Sequence, residues 1–322
     1  MNSTSFTSKI TLDNGEREMT KGYFDIQVNG YGGIDFNKDG LTAEELRRAC
    51  ETLQRDGVTG IFATICTAEL PVMCRRAAQI VKLREHDALS RQLVAGIHFE
   101  GPFMNETVGY RGAHPEAALH PANLDEMKQL LAAAGGLTKL VTLAPERDPG
   151  MATTRYLAGQ GIAVSAGHTN ASLDDLKAGI DAGLTMVTHL GNGCPMQMHR
   201  HDNIIQRALS FAGQLWICFI ADGVHVPFFA LKNYLKVAGI ERSIITTDAV
   251  APAGLGPGTY TFGNWKVVAG EDMALWAPDR SHLVGSGIFM PKVEDNLRRH
   301  LGLSDNEIRQ LICDNPRRAF GL

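Results

Sequence analysis

Four short runs in the second half of the chain decide the fold: Ile162-Ala-Val-Ser-Ala-Gly-His168, Leu184-Thr-Met-Val-Thr-His-Leu190, Trp216-Ile-Cys-Phe-Ile-Ala221 and Ser243-Ile-Ile-Thr-Thr-Asp248. Each is nearly continuous in small, apolar and β-branched residues. Strands buried on both faces read this way, because neither side meets water and no polar alternation is needed. Working outward toward the N-terminus, four more β-rich runs fall at 24–30, 57–65, 93–100 and 137–144. Helical patterns fill the intervals, at 42–55, 71–85, 172–182 and 227–237. Thr42-Ala-Glu-Glu-Leu and Ser172-Leu-Asp-Asp-Leu open with a capping hydroxyl followed by acids, which is how helices begin. Eight strands with intervening helices predict a (β/α)8 barrel of the TIM type. The alternative is a doubly wound open sheet, and the lack of a GxGxxG or Walker sequence after an early strand weighs against it.

Composition narrows the function classes. The net charge is −4 and the pI near 6.3, so the basic excess expected of a partner for nucleic acid or anionic membrane is missing. No apolar stretch approaches the ~20 residues that span a bilayer. The opening Met1-Asn-Ser-Thr-Ser-Phe has no charged segment leading into an apolar run, so no secretory signal is expected. The six cysteines, at 50, 66, 74, 194, 218 and 313, form no CxxC pair and read as reduced thiols of a cytoplasmic protein. Residues 254–285 break the alternation with Gly254-Leu-Gly-Pro-Gly-Thr-Tyr-Thr-Phe-Gly-Asn-Trp. This reads as turns plus short strands, a β-hairpin insertion after the eighth strand of one barrel domain covering 1–322.

Barrel enzymes carry their chemistry at the C-terminal ends of the strands. Those ends are polar here: Gln27-Val-Asn29, His98-Phe-Glu100, Gly167-His168-Thr, Thr188-His189-Leu, Asp222-Gly-Val-His225 and Thr246-Thr-Asp248. A lone histidine at a strand end is more often structural than a ligand. One carboxylate and two imidazoles at the same level of a barrel are another matter. Glu100, His168 and His189 form an O/N/N set that leaves a position open for water, which suits a catalytic divalent metal. Asp248, at the last strand end, points across the mouth toward that set and can move a proton. Its bland alternative is to cap a following turn.

These stretches resemble the N-acetylglucosamine-6-phosphate deacetylases of the amidohydrolase superfamily. The matching segments are Gly22-Tyr-Phe-Asp-Ile-Gln-Val-Asn-Gly, Gly96-Ile-His-Phe-Glu-Gly-Pro-Phe, Arg111-Gly-Ala-His114, Val164-Ser-Ala-Gly-His-Thr-Asn-Ala, Thr188-His-Leu, Ile220-Ala-Asp-Gly-Val-His-Val, Thr246-Thr-Asp-Ala and Asn315-Pro-Arg-Arg-Ala-Phe-Gly-Leu. They occur in the family's order from about residue 22 onward. The resemblance implies that Glu100, His168 and His189 hold the metal and that Asp248 is the catalytic acid/base. It implies that His114 polarises the acetamide carbonyl. His225 and Arg200 would contact the sugar phosphate, with Asn192 and Gly193 offering amide or backbone groups nearby. The residue matching Arg200 reaches a neighbouring subunit in the family, so a homodimer is expected.

Many amidohydrolases carry His-x-His on the first strand and bind two metals. The pair here is Gln27-Val28-Asn29, and neutral amides are poor ligands for first-row metals. One ion per chain is expected, zinc being the expected element. Three features depart from the family pattern. The small β-sandwich is expected to be largely absent, given the short lead before the first strand and the end at Leu322. The loop after His189 reads Leu-Gly-Asn-Gly-Cys-Pro-Met-Gln-Met-His-Arg-His. His199 and His201 flank Arg200 there, either strengthening an anion site or standing as solvated loop residues. Arg200 itself has two readings, a phosphate clamp or an ion pair with Asp202. Competing functions are the same hydrolysis on an unphosphorylated N-acetyl sugar or an N-acyl amino acid, and a catalytically idle barrel kept for binding.

Overall fold

The helices begin where the sequence asks them to. Thr42 caps Ala43–Arg55 by accepting the Glu45 amide, while the Glu45 side chain returns to the Thr42 amide. Ser172 and Asp175 form the same reciprocal box at the start of Leu173–Ala182. Each box satisfies two backbone donors that a helix N-terminus otherwise leaves open. The structure is a computed structural model that describes residues 22–262, 265–270, 273–276 and 283–322. The segment before the first strand, where a remnant of the small β-sandwich was the expectation, lies outside the described residues.

Eight parallel strands follow one another in sequence order: β1 Tyr23–Val28, β2 Val58–Cys66, β3 Val94–Glu100, β4 Thr138–Leu143, β5 Ala163–Ala166, β6 Leu184–Val187, β7 Trp216–Ile220 and β8 Ser243–Thr246. Helices cover the outside, and the barrel expected from the sequence is the observed architecture. Residues 258–286 carry a four-stranded antiparallel sheet, formed by β9 Gly258–Phe262, β10 Trp265–Ala269, β11 Ala274–Trp276 and β12 Leu283–Ser286. It rejoins the barrel mouth directly, because the Ser286 amide donates to the Asp248 carbonyl at 3.1 Å. No helix among the described residues is long and apolar enough to cross a membrane.

The inside of the barrel is layered. Phe24, Phe62, Leu140, Met186 and Ile244 fill one end, where Phe320 packs on Phe62. Two residues further along the strands, the pleat brings polar side chains to the same axis. Thr64 bonds His98 at 3.2 Å, His98 bonds Thr142 at 2.8 Å, Thr142 bonds Thr188 at 2.8 Å, and Thr188 bonds Ser165 at 2.6 Å. Burial holds His98 down to about 4, so it serves this chain as a neutral imidazole. The next positions open on the mouth.

Several strands stop earlier than the sequence pattern suggested, and three of them do so just before a site residue. The apolar runs continue through His168, His189 and Asp248, yet β5, β6 and β8 end at Ala166, Val187 and Thr246. The cause is local. His168, His189 and Asp248 adopt φ of 50°, 27° and 51°, which no strand accommodates. Non-glycine residues held there cost about 1–3 kcal/mol each, and such strain gathers at functional sites.

Closure between β8 and β1 combines a side chain with backbone contacts at Ala249. Asp25 accepts the hydroxyls of Thr246 and Thr247, each at 2.5 Å, and two backbone amides at 3.3 Å. Beyond it, the Asn29 amide donates to the Ala249 carbonyl at 2.7 Å. Replacing Asp25 with Ala leaves buried hydroxyls unpaired across the seam, at about 1–3 kcal/mol for each orphaned group. Urea denaturation of Asp25→Ala is expected to show a loss of about 2–4 kcal/mol. A change below about 0.5 kcal/mol, the usual size for an ordinary surface substitution, would show that the seam does not need this carboxylate.

Candidate metal centre and active site

Glu100 is the last residue of β3 and is 3% exposed. Its Oε1 receives three groups from other strand ends. Gln27 Nε2 donates at 3.0 Å, and the Nε2 atoms of His189 and His168 lie at 3.0 and 3.4 Å. One ligand atom from each of Glu100, His168 and His189 falls within 4.8 Å of the others. Burial opposes the charge of Glu100, but the hydrogen bonds of the two histidines outweigh it and hold the carboxyl well below its ordinary range.

The donor set fits a divalent ion. His168 Nδ1 lies 2.8 Å from the Tyr110 carbonyl, which accepts its proton, so Nε2, the nitrogen turned toward Glu100, is the atom that would ligate an ion. This is the backing that metal-bound histidines usually have. The His168 ring is also enclosed: a Cβ on Gly193, whose φ is +60°, would stand 2.8 Å from Nδ1. Only glycine permits so close an approach at that conformation.

The other expected residues divide into two groups. His114 joins the cluster. Its ring packs edge-on to His168 at 4.4 Å between centroids, and its Nδ1 lies 2.8 Å from the Thr67 hydroxyl. Burial and then the neighbouring His168 push His114 down to about 3, so the ring is neutral. Asp248 lies at the same mouth and takes a 2.7 Å hydrogen bond from Asn29 Nδ2. Burial, and next the charge of Glu100, push its carboxyl up to about 7. Asn192 folds back on the site, its side chain donating to the His189 carbonyl at 3.1 Å.

Arg200 stands apart, exposed in the loop between β6 and β7, with no hydrogen bond or ion pair to a described residue. Asp202, its alternative partner, binds Arg207 at 2.6 Å instead. His199 turns inward to the loop and accepts the Asp202 amide at 2.8 Å. His225 is held from behind, its Nδ1 2.5 Å from Asp222 Oδ2.

Several residues at the site escaped the sequence reading. Asp222 opens the Asp222-Gly-Val-His225 stretch, but its role depends on a turn that brings it back onto His225. Thr67 sits in a loop as an ordinary hydroxyl. Cys66 was one of six scattered cysteines, yet it is the Cα partner of Glu100 across β2 and β3. Its thiol donates to Asn29 Oδ1 at 2.9 Å.

No family model matches the chain. Individual relatives do. An N-acetylglucosamine-6-phosphate deacetylase of Bacillus subtilis is 30% identical over 303 residues, covering 94% of this chain and 75% of that protein. The chain belongs to the N-acetylglucosamine-6-phosphate deacetylase family. An N-acetylgalactosamine-6-phosphate deacetylase of Shewanella is 33% identical over 303 residues, covering 92% of this chain and 73% of its own length. Among solved structures, the N-acetyl-D-glucosamine-6-phosphate deacetylase of Mycobacterium smegmatis, as a variant in complex with N-acetyl-D-glucosamine-6-phosphate, superposes with a TM-score of 0.82 at 29% identity. That match covers 94% of this chain and 78% of the other.

Each histidine of the cluster can be tested as a ligand without reference to turnover. His168→Ala and His189→Ala are each expected to lower divalent-metal affinity by at least ~100-fold, the upper end for losing even an outer-shell partner. Competition against a chromogenic chelator measures it, with circular dichroism confirming the fold. Unchanged affinity in both variants would remove the cluster as a metal site.

Proposed function

We propose that this chain hydrolyses the acetamide of N-acetylglucosamine 6-phosphate, releasing acetate and glucosamine 6-phosphate. The observation that carries the proposal is the convergence of Glu100, His168 and His189 on one point, with Asp248 and His114 at the same mouth, in a chain of this family. Zinc is the proposed ion, one per chain, held by those three residues. When bound, such an ion supplies Lewis acidity, polarising an amide oxygen and drawing the pKa of water toward ~7.

The protein's own groups supply the rest. Asp248 takes the proton of the attacking water and returns it to the departing nitrogen. Neutral His114 donates to the acetamide oxygen as negative charge grows there. That donation needs the proton on Nε2, which holds when the Thr67 hydroxyl gives its one hydrogen to Nδ1 at 2.8 Å rather than to the Glu100 carbonyl at 3.1 Å. At the far end of the sugar, His225 and Arg200 contact the phosphate, with Asn192 and Gly193 nearby. Arg200 is exposed and unpaired among the described residues, which suits a guanidinium offered to a second subunit of a homodimer. A guanidinium can hold two phosphate oxygens at once. A single barrel domain and a cytoplasmic location belong to the same reading.

Deacetylation assays on the 6-phosphorylated and free forms of N-acetylglucosamine, N-acetylgalactosamine and N-acetylmannosamine test the substrate. Release of acetate from none of them would end the proposal. Asp248→Asn is expected to keep its metal and lose at least ~100-fold in kcat. A base must be ionised to act, so kcat/KM of the parent enzyme falls as pH drops through the Asp248 transition. Near-normal turnover in Asp248→Asn would place the base elsewhere.

Arg200→Ala is expected to weaken use of the phosphorylated substrate by about 1.5–3 kcal/mol, the range for a hydrogen bond to a charged group. Activity on the unphosphorylated analogue should stay nearly constant. Equal losses on both substrates, or a strictly monomeric active enzyme in light scattering, would remove the cross-subunit clamp.

A further inference from the structure

We infer that Cys66 and Asn29 form a two-link hydrogen-bond chain that sets the orientation of the Asp248 carboxylate, making both of them positioning residues for the hydrolysis. The inference rests on the reading of Asp248 as the proton-transfer group.

The argument starts from what each atom can do. An ionised carboxylate only accepts hydrogen bonds, and a carboxamide has one donating end and one accepting end. Asn29 is 4% exposed, and its side chain lies 2.7 Å from Asp248 Oδ1. With Asp248 ionised, that contact is favourable only with Nδ2 facing the carboxylate. The amide oxygen then points the opposite way, toward Cys66 Sγ at 2.9 Å, and the thiol hydrogen meets it. A flipped amide would set oxygen against carboxylate oxygen and bring NH2 to a sulfur that accepts poorly. The thiol therefore favours one of two amide orientations, and the favoured one aims a donor at Asp248.

The sulfur is held where this requires. Asn37 Oδ1 accepts the Cys66 amide at 2.9 Å, and Asn37 Nδ2 donates to the Thr64 carbonyl at 2.9 Å, so one side chain holds the end of β2 by two hydrogen bonds. The Asn29 backbone is tied to the residue after Asp248, its amide donating to the Ala249 carbonyl at 2.7 Å. With both backbones fixed, rotation of the Asn29 amide is the remaining freedom, and the thiol removes it. None of the three residues is brought to the others by sequence proximity. They come from the ends of β1, β2 and β8.

Cys66→Val removes the donor, Cys66→Ser replaces it, and Asn29→Ala removes the relay. Expected results are a fall in kcat of about 3- to 10-fold for Cys66→Val and about 10- to 100-fold for Asn29→Ala, following the sizes of a neutral and a charge-assisted hydrogen bond. KM and bound-metal equivalents should stay within about twofold, which loss of a merely structural contact at a metal site would not respect. Cys66→Ser should recover most of the loss. Cys66→Val placed on Asn29→Ala should add less than about twofold, because the chain is already broken.

An independent readout needs no turnover: the infrared S–H stretch of Cys66, isolated by subtracting the Cys66→Val spectrum, should shift in Asn29→Ala. Asp248→Asn separates the two levels of the argument. If Asp248→Asn turns over normally, the acid/base reading falls and the inference with it. If Asp248→Asn is inactive while Cys66→Val keeps the parent kcat, or if the S–H band does not move, the inference alone is overturned. Should Asn29→Ala fail to fold, Cys66→Val and Cys66→Ser decide by kcat.

Discussion

One buried negative charge organises this molecule. Glu100 ends β3 inside the barrel mouth, 3% exposed, and an unpaired carboxylate there would cost several kcal/mol. Three other strand ends meet that cost by sending a donor or an imidazole to the same oxygen, Gln27 from β1, His168 after β5 and His189 after β6. Reaching it is what turns the backbone of His168 and His189 out of the extended region. The strain of those two turns and the shortness of their strands are one fact seen from two sides. The barrel wall, closed on itself and packed with helices, is stiff enough to hold it.

Much of this was legible in the sequence, and for a physical reason. A strand buried on both faces has no use for polar residues until its end, so a histidine or carboxylate closing an apolar run stands out. That picks out Glu100, His168, His189 and Asp248 without an alignment. The apolar run does not reveal that the strand stops two residues sooner, since positive φ at His168 leaves no mark in its side-chain chemistry. Helix starts were easier, because the capping boxes at Thr42 and Ser172 are local and depend on no distant partner.

What could not be read depends on register between distant segments. Cys66 faces Glu100 because β2 and β3 pair with those two residues opposite one another, a relation fixed by the whole barrel. Thr67 meets His114 across 47 positions of sequence. Arg200 shows the same limit over a shorter span. Asp202 lay close enough in sequence to pair with it, but the turn into the helix Ile204–Ser210 presents Asp202 to Arg207 at 2.6 Å instead.

The first strand carries the last step. Gln27 and Asn29 of the first strand give their amide N–H groups to the two carboxylates of the mouth, Glu100 and Asp248. A ligand histidine would turn a lone pair toward a cation at that position, while an amide donor turns the positive end of its dipole there. The same geometry that satisfies both carboxylates thus opposes a second cation between them and β1. It also leaves Asp248 with a neutral neighbour that can orient it without neutralising it, as the proton transfer proposed for it requires. This is the physical support for the one-ion reading, and it makes the first strand a positioning element of the proposed chemistry.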